Sequence, residues 1–301
     1  MSRYIKLGIG VLLVVATTLL VGFFIATNDI ALLNPKGLVG EKQLKLMAIA
    51  VALCLIVIIP VFALTFHIAW KYREGNTKAT YRPNWDHHHL LESIWWGIPI
   101  VIIAALSVIT WQSSHALDPY RALDSDVKPL RVQVIALQWK WLFVYPDQRV
   151  ASVNYLNVPV DTPINFEITS DAPMNSFWVP KLGSQVYAMA GMTTKLHLIA
   201  NETGTYPGVS ANISGEGFAD MKFNVHAISR ADFDAWSKKL QNTGENLSQN
   251  TYDILAKPSV PKDFPSYALR DEGLFERAVM KYMVPAENLE AHNHEVSDHE
   301  H

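Results

Sequence analysis

Three long apolar runs open the chain, and the pattern then changes twice. The first, residues 5–26, carries no charge beyond Lys6. It is about 22 residues long, enough to cross a hydrocarbon core at roughly 1.5 Å per residue. The second, residues 44–70, holds Pro60 near its middle, which predicts a kink that neighbouring membrane helices can accommodate. The third runs from Leu90 to Trp111, with Pro99 inside and Trp95, Trp96 and Trp111 toward its ends, where interfacial aromatics belong. From residue 130 to 227 short β-rich segments take over, alternating clearly in 165–169 and 195–198 and broken at 161–163, 171–173 and 201–204. That cadence predicts an antiparallel sandwich or barrel. Beyond 227 the pattern is helical and aromatic: Ser229 with Asp232 marks a helix start, and Phe233, Trp236 and Leu240 fall at helical spacing. Tyr252, Phe264, Tyr267, Phe275 and Tyr282 follow, punctuated by Pro258, Pro261, Pro265 and Pro285. So many large apolar side chains would be left wet in a loose linker, so the extension is expected to wrap the β domain.

These changes divide the chain into residues 1–29 (signal sequence or first transmembrane helix), 30–43 (an outer segment) and 44–112 (a transmembrane hairpin with its loop at 71–89). A linker at 113–129, a β domain at 130–228, a helical extension at 229–285 and a His/acid-rich tail at 286–301 complete it. Length and flanks leave cleavage and retention of the first run equally open. Residues 20–23, Leu-Val-Gly-Phe, are similar to a lipoprotein cleavage box with Phe23 where the lipid-bearing cysteine belongs, which excludes lipidation there. Lys71, Arg73, Lys78 and Arg82 assign the 71–89 loop to the cytoplasm, so the β domain is expected on the outer face.

Composition adds limits. Hydrophobic residues make up 50% of the 301 positions and charged residues 18%, an average over a membrane part and a soluble part. A formal net charge of −3 gives no reason to expect nucleic acid. The single cysteine, Cys54, excludes an internal disulfide and any multi-cysteine metal site.

One stretch, GTYPGVSANISGEGFADMKF at 204–223, has the frame of a metal-binding loop. Gly204, Tyr206, Gly208, Gly215 and Met221 match the pattern G-x-Y-x-G-x-C-x-E-x-C-G-x-x-H-x-x-M, and on them the chain resembles subunit II of the haem-copper oxidases, whose loop binds two coppers. Ser210 and Ser214 stand where that family has bridging cysteines, Asn212 replaces its glutamate and Phe218 its loop histidine. Asn175, before Ser176-Phe177-Trp178, stands for the other histidine, so only Met221 remains of the ligand set. Thiolate and imidazole are the donors such a site needs, and hydroxyl, amide and phenyl do not replace them. The chain is therefore similar to subunit II of a ubiquinol oxidase, with a copper-site frame that has lost its copper.

The resemblance implies a cupredoxin-like Greek-key barrel at 130–228, an aromatic-rich extension, and a place in the bacterial inner membrane with the barrel in the periplasm. It implies a complex that oxidises ubiquinol, reduces oxygen to water and pumps protons. Its haems and one copper would lie in subunit I, no cofactor would sit in this chain, and subunits III and IV and the lipid bilayer would be further partners. Two alternatives stand beside it: a cytochrome c oxidase subunit with an atypical copper site, and a membrane-tethered binding module.

Individual residues carry rival readings. Trp139, Trp141, Phe143 and Tyr145 alternate and are expected to fill one face of a strand. In the cytochrome-using relatives the tryptophan matching Trp139 relays electrons, and an acidic residue matching Val144 serves docking; its loss argues against cytochrome c as a partner. Glu92 is the one acid of the third run, and either a functional group or a snorkelling first-turn acid explains it. The resemblance of HHHLLESIWWGIP to H-x-x-x-E-x-x-W-x-x-I-P implies that Glu92 admits protons at the cytoplasmic mouth of a pathway into subunit I. His87, His88 and His89 read as an interfacial run rather than a metal site, since adjacent helical residues diverge. His292, His294, His299 and His301 read as a solvated tail.

Overall fold

The structure, a computed structural model, describes residues 3–80, 87–261 and 263–283. The chain divides into two units, residues 1–41 with 122–301 and residues 42–121. Three helices, α1 (Arg3–Thr27), α2 (Leu38–Lys71) and α3 (His89–Ala116), are long and apolar enough to cross a membrane. Pro60 lies inside α2 and Pro99 inside α3. The large apolar side chains along all three are exposed, Leu19, Phe62 and Trp111 among them, which suits lipid rather than water. The α2 helix begins at Leu38, earlier than the apolar run, because Glu41, Lys42 and Gln43 are sound helix formers that hydropathy alone passes over.

The segment before α2 is fastened to the β domain. Gly37 bridges to Ala200, the Lys36 amide donates to the Lys181 carbonyl at 2.7 Å, and Lys36 pairs with Glu202 at 2.8 Å. Gly37 is required here: a Cβ at that position would lie 2.5 Å from the Ile199 carbonyl oxygen.

The β domain is two sheets. One has the order β11-β12-β3-β2-β1-β5-β8, from β1 (Leu130–Leu137), β2 (Lys140–Tyr145), β3 (Val150–Val153), β5 (Ile164–Ser170), β8 (Thr194–Leu198), β11 (Glu245–Asn246) and β12 (Ser266–Ala268). The other is β4-β10-β9-β6-β7, from β4 (Tyr155–Pro159), β6 (Asn175–Trp178), β7 (Gln185–Ala188), β9 (Gly204–Ser210) and β10 (Lys222–Ile228). Pairing is antiparallel except for β1 with β5, β4 with β10 and β11 with β12. The first two parallel pairs join strands distant in sequence, as Greek-key crossovers do.

Five rings fill the space between the sheets: Trp141, Phe143, Phe166, Phe177 and Phe223, with Phe177 stacked on Phe223 at 5.0 Å. Alternation along β2 sends Trp141, Phe143 and Tyr145 to this face and Leu142 and Val144 to the other. That other face is covered by α5 (Gln249–Ala256), β12 and α6 (Leu274–Met280) of the extension, while α4 (Arg230–Thr243) sets Phe233 and Trp236 against Tyr145. There Ile135, Leu137, Leu142 and Val144 form one core cluster with Tyr252, Tyr267, Leu274 and Phe275. Ser229 caps α4, its hydroxyl accepting from the Asp232 amide at 3.1 Å. The tail at 286–301 lies outside the described residues.

Candidate functional site

The loop end of the domain is assembled by the pairing of β6 with β9, which sets Phe177 opposite Ser210 and so brings residues 175–176 beside residues 210–212. The Ser210 hydroxyl donates to Asn175 Oδ1 at 2.8 Å, and the Ser176 hydroxyl donates to Asn212 Oδ1 at 2.6 Å. Asn175 in turn donates its amide to the Pro173 carbonyl at 2.7 Å. Ser214 is buried, and its hydroxyl has no partner among the described residues. A short 3-10 turn, Phe218–Asp220, leads into buried Met221. Of the replaced positions, Ser210 and Asn175 thus meet directly and Asn212 is held by Ser176 through hydroxyl–amide hydrogen bonds, while Ser214 and Phe218 take no part in them. Among the described residues no group of three or more His, Cys, Asp or Glu could hold a metal. The donors present, hydroxyl, amide and one thioether, do not fit a thiolate-bridged copper pair.

Trp139 is not on the alternating strand. The run 130–145 breaks into the β1–β2 hairpin, and Trp139 sits in its turn with φ at +65°. Its indole Nε1 donates to the Ser214 carbonyl at 3.2 Å, and its ring lies against the loop glycines. A Cβ on Gly217 would fall 2.4 Å from Trp139 Cδ2, so the glycine makes room for the ring. Gly215 adopts φ +114°, a conformation that side chains disfavour.

Two buried charges, neither singled out from sequence, tie this end to the extension. Lys140 is 1% exposed and gives all three protons away: to the Leu255 and Lys257 carbonyls at 2.8 Å and to Ser259 Oγ at 2.7 Å. Burial pushes its ammonium down to about 8. Asp171, four residues before Asn175, accepts from the Tyr252 hydroxyl at 2.8 Å, the Tyr282 hydroxyl at 2.6 Å and Lys281 Nζ at 2.7 Å. Charged residues among apolar neighbours in 130–145, and an acid before a proline, were the signals available.

Glu92 lies in the first turn of α3. His88 caps that helix, its Nδ1 accepting from the Leu91 amide at 3.3 Å, while its own amide donates to Glu92 Oε1 at 3.1 Å. His87 Nδ1 lies 3.5 Å from Glu92 Oε1, and His89 Nδ1 lies 4.0 Å from Oε2.

Comparison with known proteins agrees with this layout. Residues 148–228 match the periplasmic domain of cytochrome c oxidase subunit II, and residues 241–286 match the aromatic-rich motif of such oxidases. Over 251 residues the chain is 52% identical to cytochrome bo(3) ubiquinol oxidase subunit 2 of Pseudomonas putida, covering 83% of this chain and 80% of that protein. The chain belongs to the ubiquinol oxidase subunit 2 family. Ubiquinol oxidase subunit 2 of Acetobacter aceti is 49% identical over 86% of this chain and 84% of its own length. Among solved structures, the periplasmic domain of cytochrome oxidase subunit II of Bradyrhizobium japonicum resembles 40% of this chain and 96% of its own at 22% identity, with a TM-score of 0.37.

For a member of the ubiquinol oxidase subunit 2 family, the placing of Val144 changes the argument about docking. That side chain is 1% exposed and sits beneath the extension, so position 144 offers nothing to a docking partner.

Proposed function

We propose that this chain is the non-redox second subunit of a membrane quinol oxidase: quinol is oxidised and oxygen reduced to water in a haem-bearing partner, and electrons bypass this polypeptide. The observation that carries it is the Ser210–Asn175 hydrogen bond at 2.8 Å, which closes directly between two positions where a copper pair would need a thiolate and an imidazole. Kinship at 49–52% identity with subunits named for ubiquinol supports the choice of reductant. In this reading the β domain is a periplasmic cap, and the chain has two jobs, assembly of the complex and admission of protons through Glu92 on the cytoplasmic side.

Glu92 suits that second job. The His88 amide orients one carboxylate oxygen, the side chain is one-third exposed, and a carboxylate at the start of a spanning helix can take a proton from water and turn it inward. The test is purification of the complex through this chain, with spectroscopy for haem and oxygen uptake driven by quinol or by reduced cytochrome c. Uptake with quinol only, and Glu92→Gln slowing it by about tenfold or more, is the expected result. Two coppers bound by this chain, or unchanged turnover and pumping in Glu92→Gln, would refute the respective halves.

A further inference from the structure

We propose that His87 and His89 are proton-collecting groups for Glu92 and that His88, by capping the helix, positions the carboxylate, an inference that rests on the reading of Glu92 as the proton-admitting carboxylate. Adjacent residues within a helix diverge by about 100° each, which would scatter three histidines around the axis. The helix here begins only at His89, and His88 is extended, with φ −152° and ψ 90°. In that geometry residues 87 and 89 both turn to the same carboxylate, one toward Oε1 at 3.5 Å and one toward Oε2 at 4.0 Å. Among the described residues these are the ion-pair partners of Glu92, His89 on its own helix and His87 just before the cap. The two side chains are 76% and 99% exposed against 33% for Glu92, so both imidazoles are more open to bulk water than the carboxylate they flank.

The chemistry is a plain proton transfer. An imidazolium N–H bond breaks and a carboxyl O–H bond forms. The neutral imidazole is then reprotonated from water, and no electron moves. Transfer needs a heavy-atom separation of about 2.6–3.2 Å, and rotamer motion of exposed side chains, on the ps–ns scale, closes the remaining gap. Imidazole is the side chain whose ordinary titration brackets neutral pH, so it exchanges protons with water where a carboxylic acid seldom does. Such a reservoir matters most on the alkaline side, where free protons are scarce. The His88 imidazole contributes by capping α3 through Nδ1, which fixes the helix start where the main-chain amide of residue 88 holds the carboxylate.

The experiment uses the intact oxidase complex, with quinol-driven oxygen uptake measured as a function of pH and haem spectra as the check on assembly. His87→Asn with His89→Asn is expected to move the alkaline limb of the profile about half a unit or more to lower pH, and millimolar soluble imidazole to restore it. His88→Ala is expected to slow turnover, and His88→Asn, which keeps a capping acceptor, to recover it. A double variant with the wild-type profile, or one slowed equally at every pH and not rescued by imidazole, overturns the proposal while Glu92→Gln remains slow. Should Glu92→Gln turn over normally, the parent reading fails instead, and the two failures are distinct. If the double variant does not assemble, His89→Asn alone, at a 99% exposed position, answers the same question.

Discussion

Two glycines, Gly208 of the copper-loop frame and Gly217 within the same loop, are each fixed by an aromatic ring. Gly208 lies opposite Phe223 across the β9–β10 pair, and a Cβ there would be 2.1 Å from the Phe223 ring. That ring is stacked between Phe177 and its neighbours and has nowhere to go. Gly217 stands in the same relation to Trp139, whose indole is pinned by its hydrogen bond to Ser214. Gly217→Ala is therefore expected to destabilise the domain by about 1–3 kcal/mol, through overpacking, and to shift the tryptophan emission as the ring is displaced. Thermal unfolding of the purified complex followed by fluorescence checks both. Both positions are held to glycine by ring packing, a constraint independent of any metal ligand.

The aromatic extension is the element that most changes the character of the β domain. It turns one sheet face from solvated to buried, as the near-complete burial along β1 and β2 shows. Its far end is latched by one buried carboxylate, Asp171. Burial and the hydrogen bond to Asp171 push the Tyr252 hydroxyl up, the bond to Asp171 and then burial push Tyr282 up, and the same carboxylate raises Lys281. All three hold protons when folded that the unfolded chain would release. Their contribution is therefore complete below the ordinary tyrosine and lysine range and falls as pH rises beyond about 10. Limited proteolysis across pH 8 to 11 is expected to release the extension, residues 249–283, only above about pH 10, ahead of global unfolding. Release that begins near neutrality would show that the latch is not what holds it.

For the whole chain, the apolar runs and the basic loop between α2 and α3 set the expected topology. A cysteine at Glu74, after removal of Cys54, is expected to resist a membrane-impermeant maleimide applied to spheroplasts, and one at Lys195 on β8 to react at once. Reversed labelling would invert the molecule and move Glu92 to the wrong face for cytoplasmic proton uptake.

The spans, the β cadence and the capped start of α4 were all legible along the chain, because each depends on local periodicity or on a residue type at a fixed offset. Even the expectation that the aromatic tail is buried followed from the cost of leaving it wet. Trp139 could not be read that way: alternation placed it on a strand, whereas a positive φ in the hairpin turn swings it over the loop. The pairs Ser210–Asn175 and Ser176–Asn212, each joining residues 35 or more positions apart, exist only once β6 lies beside β9. Lys140 and Asp171 become structural only when the extension folds back and supplies their partners. Periodicity records which way a side chain faces within its own element; what that face meets is a long-range fact, settled by chain closure and packing.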